Sequence, residues 1–212
     1  MKCLIVTAGM PPGQDLLAAH VQDAGLIICV DGAADTLAKY SVVPDVLIGD
    51  FDSANGDILS HIKSRGAKVV GLPVHKNETD TEAAMSLALE SGADDIVLLG
   101  ALGLRLDHAL GNLGMLIKAE KAGVHCRIID ELHEITAARD TYILHGYLGQ
   151  TVSILPITGD ITVTATNLMY PLEKLLLRSD AARGISNIIL ASPATLKIEG
   201  GYALIIKITG KA

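Results

Sequence analysis

From residue 1 to about residue 130 the chain alternates short, continuous apolar runs with longer stretches of mixed polarity. The runs are Cys3-Leu4-Ile5-Val6, Leu26-Ile27-Ile28-Cys29-Val30, Val46-Leu47-Ile48, Lys68-Val69-Val70, Ile96-Val97-Leu98-Leu99 and Cys126-Arg127-Ile128-Ile129. A strand with one wet face alternates apolar and polar positions. An unbroken run predicts a strand covered on both faces, as in a parallel sheet clothed by helices. The stretches between the runs carry helix punctuation. Thr79 and Glu82 form a capping-box pair, and Gly92 supplies a stop. Leu106, Leu110, Leu113 and Ile117 recur at helical spacing as one apolar stripe, closed by Gly123. This β-α alternation predicts a doubly wound, mostly parallel sheet.

From about residue 131 the rhythm changes. Thr141-Tyr142-Ile143-Leu144, Thr151-Val152-Ser153-Ile154-Leu155, Ile161-Thr162-Val163-Thr164, Asn187-Ile188-Ile189-Leu190, Thr195-Leu196-Lys197-Ile198 and Ala203-Leu204-Ile205-Ile206-Lys207-Ile208 are short and rich in β-branched residues. His-Gly, Thr-Gly-Asp and Glu-Gly-Gly turn signals separate them. The pattern predicts an α/β domain over 1–130 followed by a small all-β sandwich over 131–212.

Composition narrows the function classes. Apolar residues make up 50% of the 212 positions, enough for a sizeable core, but there are one Phe, five Tyr and no Trp. So few aromatic stacking platforms, with a net charge of −7, argue against a nucleic-acid partner. Cys3, Cys29 and Cys126 each fall inside a predicted buried strand without metal-ligand spacing, so they are expected as reduced core thiols. No run of about 18 uncharged apolar residues offers a membrane span. The first apolar run breaks at Gly9 and Pro11, unlike a signal peptide. The expected setting is the cytoplasm, with no membrane partner.

Polar residues gather where the runs end. Asp31-Gly32 follows Val30, Asp50 and Asp52 follow Ile48, and Gly100 through His108 follow Leu99. Ligands of open α/β sheets bind outside the carboxyl ends of the strands. Asp50 and Asp52 stand one residue apart, and Asp80 adds a carboxylate at a predicted helix start. Carboxylates this close repel unless a cation lies between them. Oxygen-rich sets of this kind suit Mg²⁺, which pairs one or two carboxylates with waters and substrate phosphates. The plainer reading is that Asp50 and Asp52 only cap the next helix.

The stretch Gly100-Ala101-Leu102-Gly103-Leu104-Arg105-Leu106-Asp107-His108 is the second constellation. Gly100 and Gly103 would let backbone N–H groups approach phosphate, the following helix start favours negative charge, and Arg105 can fork onto phosphate oxygens. No Gly-Lys-Ser/Thr follows, so this is not a Walker A loop; it also reads as an ordinary strand-to-helix turn with Asp107 in the first helical turn. Lys76 reads either as a phosphate-neutralising group or as a solvated loop charge. The histidines are scattered without ligand spacing and read as structural, His108 excepted because of its neighbours.

These blocks resemble those of the thiamine pyrophosphokinase family. The matching segments are Val30-Asp31-Gly32-Ala33, Pro44 through Ser53, Thr79-Asp80-Thr81-Glu82, Gly100 through Asn112, Tyr170-Pro171-Leu172 and Gly184-Ile185-Ser186-Asn187, in order over nearly the whole chain. The resemblance implies a catalytic α/β domain that binds ATP and Mg²⁺, a β-sandwich that binds thiamine and serves dimerisation, and a homodimer with sites at the subunit interface. It implies transfer of pyrophosphate from ATP to thiamine, giving thiamine diphosphate and AMP. Asp50, Asp52 and Asp80 would hold metal, with Arg105 and Asp107 completing the catalytic set. Asp31, Gly32, Lys76, Asn77, Thr79, Gly100, Gly103, His108 and Asn112 would bind the nucleotide, and Ser186 and Asn187 the thiamine. Asn77 stands where the family carries an acid, Ala33 where it carries a second glycine after Asp-Gly, and a single Gly103 where it carries a pair.

Attack of an alcohol on the β-phosphorus of ATP needs charge neutralisation and in-line placement more than covalent chemistry. The proton acceptor is either Asp107 or a metal-bound carboxylate. Three rivals share the residue pattern: a pyrophosphokinase acting on a hydroxymethyl pterin, a magnesium-dependent phosphohydrolase, and a nucleotide or thiamine sensor without turnover.

Overall fold

The apolar runs of the first half become β1 (Lys2–Val6), β2 (Leu26–Val30), β3 (Val46–Gly49), β4 (Lys68–Gly71), β5 (Asp95–Leu99) and β6 (His125–Ile129) in a computed structural model. It describes residues 1–51, 56–73, 77–103 and 105–210. Two units emerge, Met1–Glu131 and Leu132–Ala212. In the first, the six strands pair in parallel in the order β6-β5-β1-β2-β3-β4. Between them lie α1 (Gln14–Asp23), α2 (Ala33–Lys39), α3 (Gly56–Ser64), α4 (Asp80–Glu90) and α5 (Leu106–Lys121).

The unbroken apolarity of the strands follows from this wrapping. Leu4, Val6, Ile27, Cys29, Leu47, Val97 and Leu99 form one cluster with Leu17 of α1, Leu37 of α2 and Ile62 of α3. The alternate positions Ile5, Ile28, Ile96, Leu98 and Ile128 are buried too. On this sheet α4 packs against β1, β2 and β3, and α5 against β6. β4 departs from the expectation of burial on both faces: as the edge strand it leaves most of its residues exposed.

Both helix stops are Schellman turns with a left-handed glycine. Gly92 has φ 79°, Gly92 N donates to Leu89 O at 3.0 Å, and Ala93 N donates to Ala88 O at 3.1 Å. Gly123 repeats the geometry at φ 72°, with Val124 N donating to Ala119 O at 3.0 Å. The apolar stripe on α5 is covered only in part: Leu113 and Ile117 are half-buried and its N-terminal half is not. Leu106 is 75% and Leu110 60% exposed, while Asn112, Leu116 and Ala119 are buried. A stripe at helical spacing establishes a helix but not which side meets the sheet; here the smaller side chain of Ala119 allows the closer approach.

The second unit comprises β7 (His133–Leu144), β8 (Thr151–Pro156), β9 (Ile161–Ala165), β10 (Leu172–Leu177), β11 (Asn187–Ile188) and β12 (Ala194–Ile208). All pairings are antiparallel. The long β7–β12 ladder belongs to two arms. Leu196 to Glu199 of β12 also pair with β9, which pairs with β10; from Ala203 to Lys207, β12 pairs with β8, which pairs with β11. Between the arms the register shifts from Ile198 to Ala203, where Asp140 (φ 55°) and Gly200 (φ 95°) adopt left-handed backbone. Glu199-Gly200-Gly201, read above as a turn between two strands, is therefore an irregularity inside one bent strand. Val152, Ile154, Val163, Leu177, Leu196, Ile198 and Ile205, drawn from both arms, share one apolar core. Among the described residues no helix is long and apolar enough to cross a membrane.

Within the first unit the chain runs from β1 outward through β2 and β3 to β4, then returns to lay β5 on the other side of β1. That reversal leaves a crevice at the carboxyl ends of β1 and β5, where open α/β sheets bind their ligands.

Candidate active site

Main-chain hydrogen bonds stitch the crevice together. Thr7 N donates to Leu99 O at 2.9 Å, Gly9 N to Gly100 O at 2.8 Å and Met10 N to Leu102 O at 2.7 Å. The buried Thr7 hydroxyl adds a bond to Gly100 O at 2.7 Å. Two glycines make this approach possible. A Cβ on Gly100 (φ 69°) would collide with Thr7 O, and one on Gly9 would collide with Gly100 O.

Above this floor opens a cleft of about 450 Å³. One side is acidic, lined by Asp31, Asp50, Glu78 and Asp80; the other carries Gly100, Gly103, Arg105, His108 and Asn112. Asp31 follows β2 with φ 42°, and its N–H donates to Ile48 O of β3 at 2.9 Å. A Cβ on Gly49 would stand 3.0 Å from Asp31 Cβ, so the bare glycine lets Asp31 lie against the end of β3 beside Asp50. Asp80 opens α4, whose first turn is capped by Thr79 Oγ1 accepting from Glu82 N at 3.1 Å. The other half of the capping box is missing. Glu82 instead receives Lys118 Nζ of α5 at 3.1 Å, and Lys118 also donates to Ser86 Oγ at 3.0 Å. The two helices that begin at the cleft are thereby tied to each other.

Arg105 meets Asp107 through two parallel contacts, Nε to Oδ1 at 3.2 Å and Nη2 to Oδ2 at 2.5 Å. The Arg105 hydrogen bond holds the Asp107 carboxyl down at about 2. A carboxylate that holds its proton so weakly is a poor acceptor at neutral pH, and in this pairing it orients the guanidinium. Buried Asn112 donates Nδ2 to Ala101 O at 2.8 Å, pinning the glycine loop from below.

The donor set suits a hard cation. Its oxygens come from carboxylates, and no group of three or more His, Cys, Asp and Glu among the described residues is arranged to enclose an ion. One or two carboxylates with waters and substrate phosphates is how Mg²⁺ is held.

In the second unit Asn187 is 3% exposed and its carboxamide is spent on backbone. Oδ1 accepts from Tyr170 N at 3.0 Å and from Ile188 N at 2.8 Å, while Nδ2 donates to Tyr170 O at 2.9 Å. This clasp holds the Tyr170-Pro171-Leu172 segment and leaves the Tyr170 side chain outward, 58% exposed. Ser186 takes φ 57° and donates its N–H to Ser153 Oγ at 3.0 Å.

Residues 17–128 match the family described as "Thiamin pyrophosphokinase, catalytic domain", and residues 133–202 match "Thiamin pyrophosphokinase, vitamin B1 binding domain". The chain belongs to the thiamine pyrophosphokinase family. Among its relatives, the thiamine pyrophosphokinase of Bacillus subtilis is 29% identical, covering 99% of this chain and 100% of that one. Thiamine pyrophosphokinase 1 of Arabidopsis thaliana is 26% identical over 98% of this chain and 86% of its own length. The crystal structure of the Bacillus subtilis enzyme superposes with a TM-score of 0.88 at 28% identity, covering 99% of each chain. That of Geobacillus thermodenitrificans thiamin pyrophosphokinase gives 0.85 at 28% identity, covering 100% of this chain and 99% of its own.

Of the residues the sequence singled out for this family's chemistry, Asp31, Asp50, Thr79, Asp80, Gly100, Gly103, Arg105, His108 and Asn112 line the cleft together. Asp107 reaches it through Arg105. Gly32 is not among the lining residues; a Cβ there would sit 3.5 Å from Ala8 Cβ, so it backs the β1 loop. Asn77 is exposed and outside the lining, whereas its neighbour Glu78 is part of it. Asp52, Ser53 and Lys76 lie outside the described residues. Sequence reasoning gave no site role to Thr7, Ala8, Gly9, Glu78 and Thr81, all of which line the cleft. Thr7-Ala8-Gly9 ends the first apolar run just as Asp31-Gly32 ends the second, but its importance depends on β1 flanking the reversal.

Proposed function

We propose that this chain transfers the terminal diphosphate of ATP to the hydroxyethyl group of thiamine, releasing AMP, with Mg²⁺ as the metal. One observation carries the reading: a wall of carboxylates and a glycine-arginine loop face each other across one cleft, in the unit that matches the family's catalytic domain. Asp50 and Asp80 would hold the metal, joined by Asp52 from the sequence motif. When bound, Mg²⁺ supplies neutralisation of the polyphosphate charge. The chain's own groups do the rest. Backbone N–H groups of the Gly100–Gly103 loop approach the phosphates, those of Thr7, Gly9 and Met10 being spent on the stitching, and Arg105, oriented by Asp107, forks onto the remaining oxygens. The thiamine hydroxyl oxygen bonds to the β-phosphorus, the bridging oxygen leaves with AMP, and the hydroxyl proton passes to a carboxylate of the acidic wall. Asp107 serves orientation rather than proton transfer.

The second unit, matched to vitamin B1 binding, takes the acceptor. Asn187 acts there by holding Tyr170, whose exposed ring suits a cationic heteroaromatic partner. The working form is proposed as a cytoplasmic homodimer, a state that would give the outward Leu106 and Leu110 a covering surface. Incubation with ATP, Mg²⁺ and thiamine, read by mass spectrometry, is expected to give AMP and thiamine diphosphate in equal amounts. ADP with phosphate, or binding without turnover, overturns the proposal.

A further inference from the structure

Phe51, the only phenylalanine of the chain, follows Asp50 with φ 56°. A bulky residue in the left-handed region is an outlier, because its Cβ crowds its own backbone; glycine or asparagine would sit there with less strain. Such a conformation persists when the surroundings over-determine it. Here the half-buried ring packs on the cluster of Leu4, Leu37, Leu47 and Ile62, on the face of the sheet covered by α1, α2 and α3. Asp50, one residue earlier, lines the cleft. Asp50 is thus confined from two sides, by the β3 ladder before it and by the left-handed, core-packed Phe51 after it.

We propose that Phe51 is a positioning residue whose ring, packed against the core, holds its own left-handed backbone and with it the Asp50 carboxylate at the cleft. The inference rests on the reading of Asp50 as a metal-holding carboxylate. It separates ring from backbone: glycine at position 51 keeps the left-handed backbone accessible but removes the anchor, and leucine keeps an apolar anchor.

The test uses the full chain and Mn²⁺ alone as probe, with free ion read by electron paramagnetic resonance. The Mg²⁺ concentration for half-maximal rate is measured alongside. Phe51→Gly and Phe51→Ala are expected to weaken Mn²⁺ binding roughly tenfold, the scale on which groups supporting metal ligands act. Phe51→Leu should stay within about twofold of the unaltered chain, and kcat at saturating Mg²⁺ should recover in all three, since no reacting group is lost. A merely structural role lowers melting temperature without moving the Mn²⁺ affinity of the folded protein. Unaltered Mn²⁺ affinity in Phe51→Gly overturns the inference, as does a loss in Phe51→Leu equal to that in Phe51→Gly. Asp50→Asn serves as the reference. If it too leaves Mn²⁺ binding unaltered, the metal reading of Asp50 falls and the inference with it; if it weakens binding while Phe51→Gly does not, the inference alone falls.

Discussion

The cleft of the α/β unit and the Tyr170 clasp of the β unit use polar side chains in opposite ways. In the first, Asp31, Asp50, Asp80 and Arg105 stand at strand ends and helix starts and face an open cleft. In the second, Asn187 belongs to a sequence motif just as distinctive, yet it is buried and all its named hydrogen bonds go to main chain. The cleft carboxylates and Arg105 present their side chains to the cleft, whereas Asn187, like Asn112 of the first unit, spends its side chain on main chain. The two roles differ in what a substitution should cost: turnover in one case, folding in the other.

The largest effect is expected in the cleft. Asp50→Asn and Asp80→Asn should each lower kcat about a thousandfold, by loss of metal-linked transition-state stabilisation of several kcal/mol. Melting temperature should stay close to that of the unaltered chain, because both groups line the cleft rather than the apolar core. A large drop in melting temperature with nearly normal kcat in the folded fraction would erase the contrast between the units.

Asn187→Ala should behave in reverse. Leaving Tyr170 N, Tyr170 O and Ile188 N without their buried partner should cost about 3 kcal/mol of stability, seen in denaturant unfolding. At temperatures where the variant is folded, the thiamine KM should rise and the ATP KM should not. An ATP KM that rises in parallel would mean that the clasp matters to both substrates.

Arg105 and Asp107 sharpen the comparison within the cleft. Arg105→Lys keeps the charge but loses the fork, and should lower kcat/KM for ATP about tenfold. Asp107→Asn should give a smaller loss without changing the shape of the pH–rate profile between about pH 5 and 9. The sign follows from the depressed value. The Asp107 carboxyl lies at about 2 against an ordinary 3.8, so its pairing with Arg105 is complete above the ordinary value and is lost only as pH falls toward about 2. An acid limb near neutrality that disappears in Asp107→Asn would restore Asp107 as the proton acceptor.

The smallest effect concerns the neighbours Asn77 and Glu78. Glu78→Gln should raise the Mg²⁺ concentration for half-maximal rate a few-fold, because Glu78 lines the cleft. Asn77→Asp, outside the lining, should shift it less. The opposite ranking would mean that the exposed Asn77 side chain turns into the cleft when substrate is present.

Much of the first unit was legible because burial on both faces writes itself as unbroken apolar runs, and because Asp31, Asp50 and the glycine loop fall at the ends of those runs. Strand order was not legible. Only the placement of β5 beside β1 brings Thr7 and Gly9 against Gly100, and nothing in Thr7-Ala8-Gly9 itself announces that neighbour. The second unit was read less well. Leu172-Glu173-Lys174-Leu175-Leu176-Leu177 is built of good helix formers and passed unnoticed as β10, since pairing with β9 overrides its propensity. Glu199-Gly200-Gly201 carries every mark of a turn, yet β12 keeps its partner β7 on both sides of it. The exposed start of the α5 stripe, Leu106 and Leu110, shows the same limit. Periodicity reports a helix, and the neighbours decide which face is covered.

The stitching of the β1 and β5 loops bears on how such a site drifts through evolution. Three of its four named hydrogen bonds are main chain to main chain, and the fourth ends on a carbonyl. Side chains at Ala8, Met10 and Leu102 can therefore turn over without loosening the frame, whereas a single methyl on Gly9 or Gly100 strikes a carbonyl oxygen. A lineage carrying this cleft can exchange most of its letters and keep the same architecture. The frame is tolerant where only its main chain is used and intolerant at its glycines, Gly103 included, where a Cβ would stand 2.9 Å from Met10 Cβ.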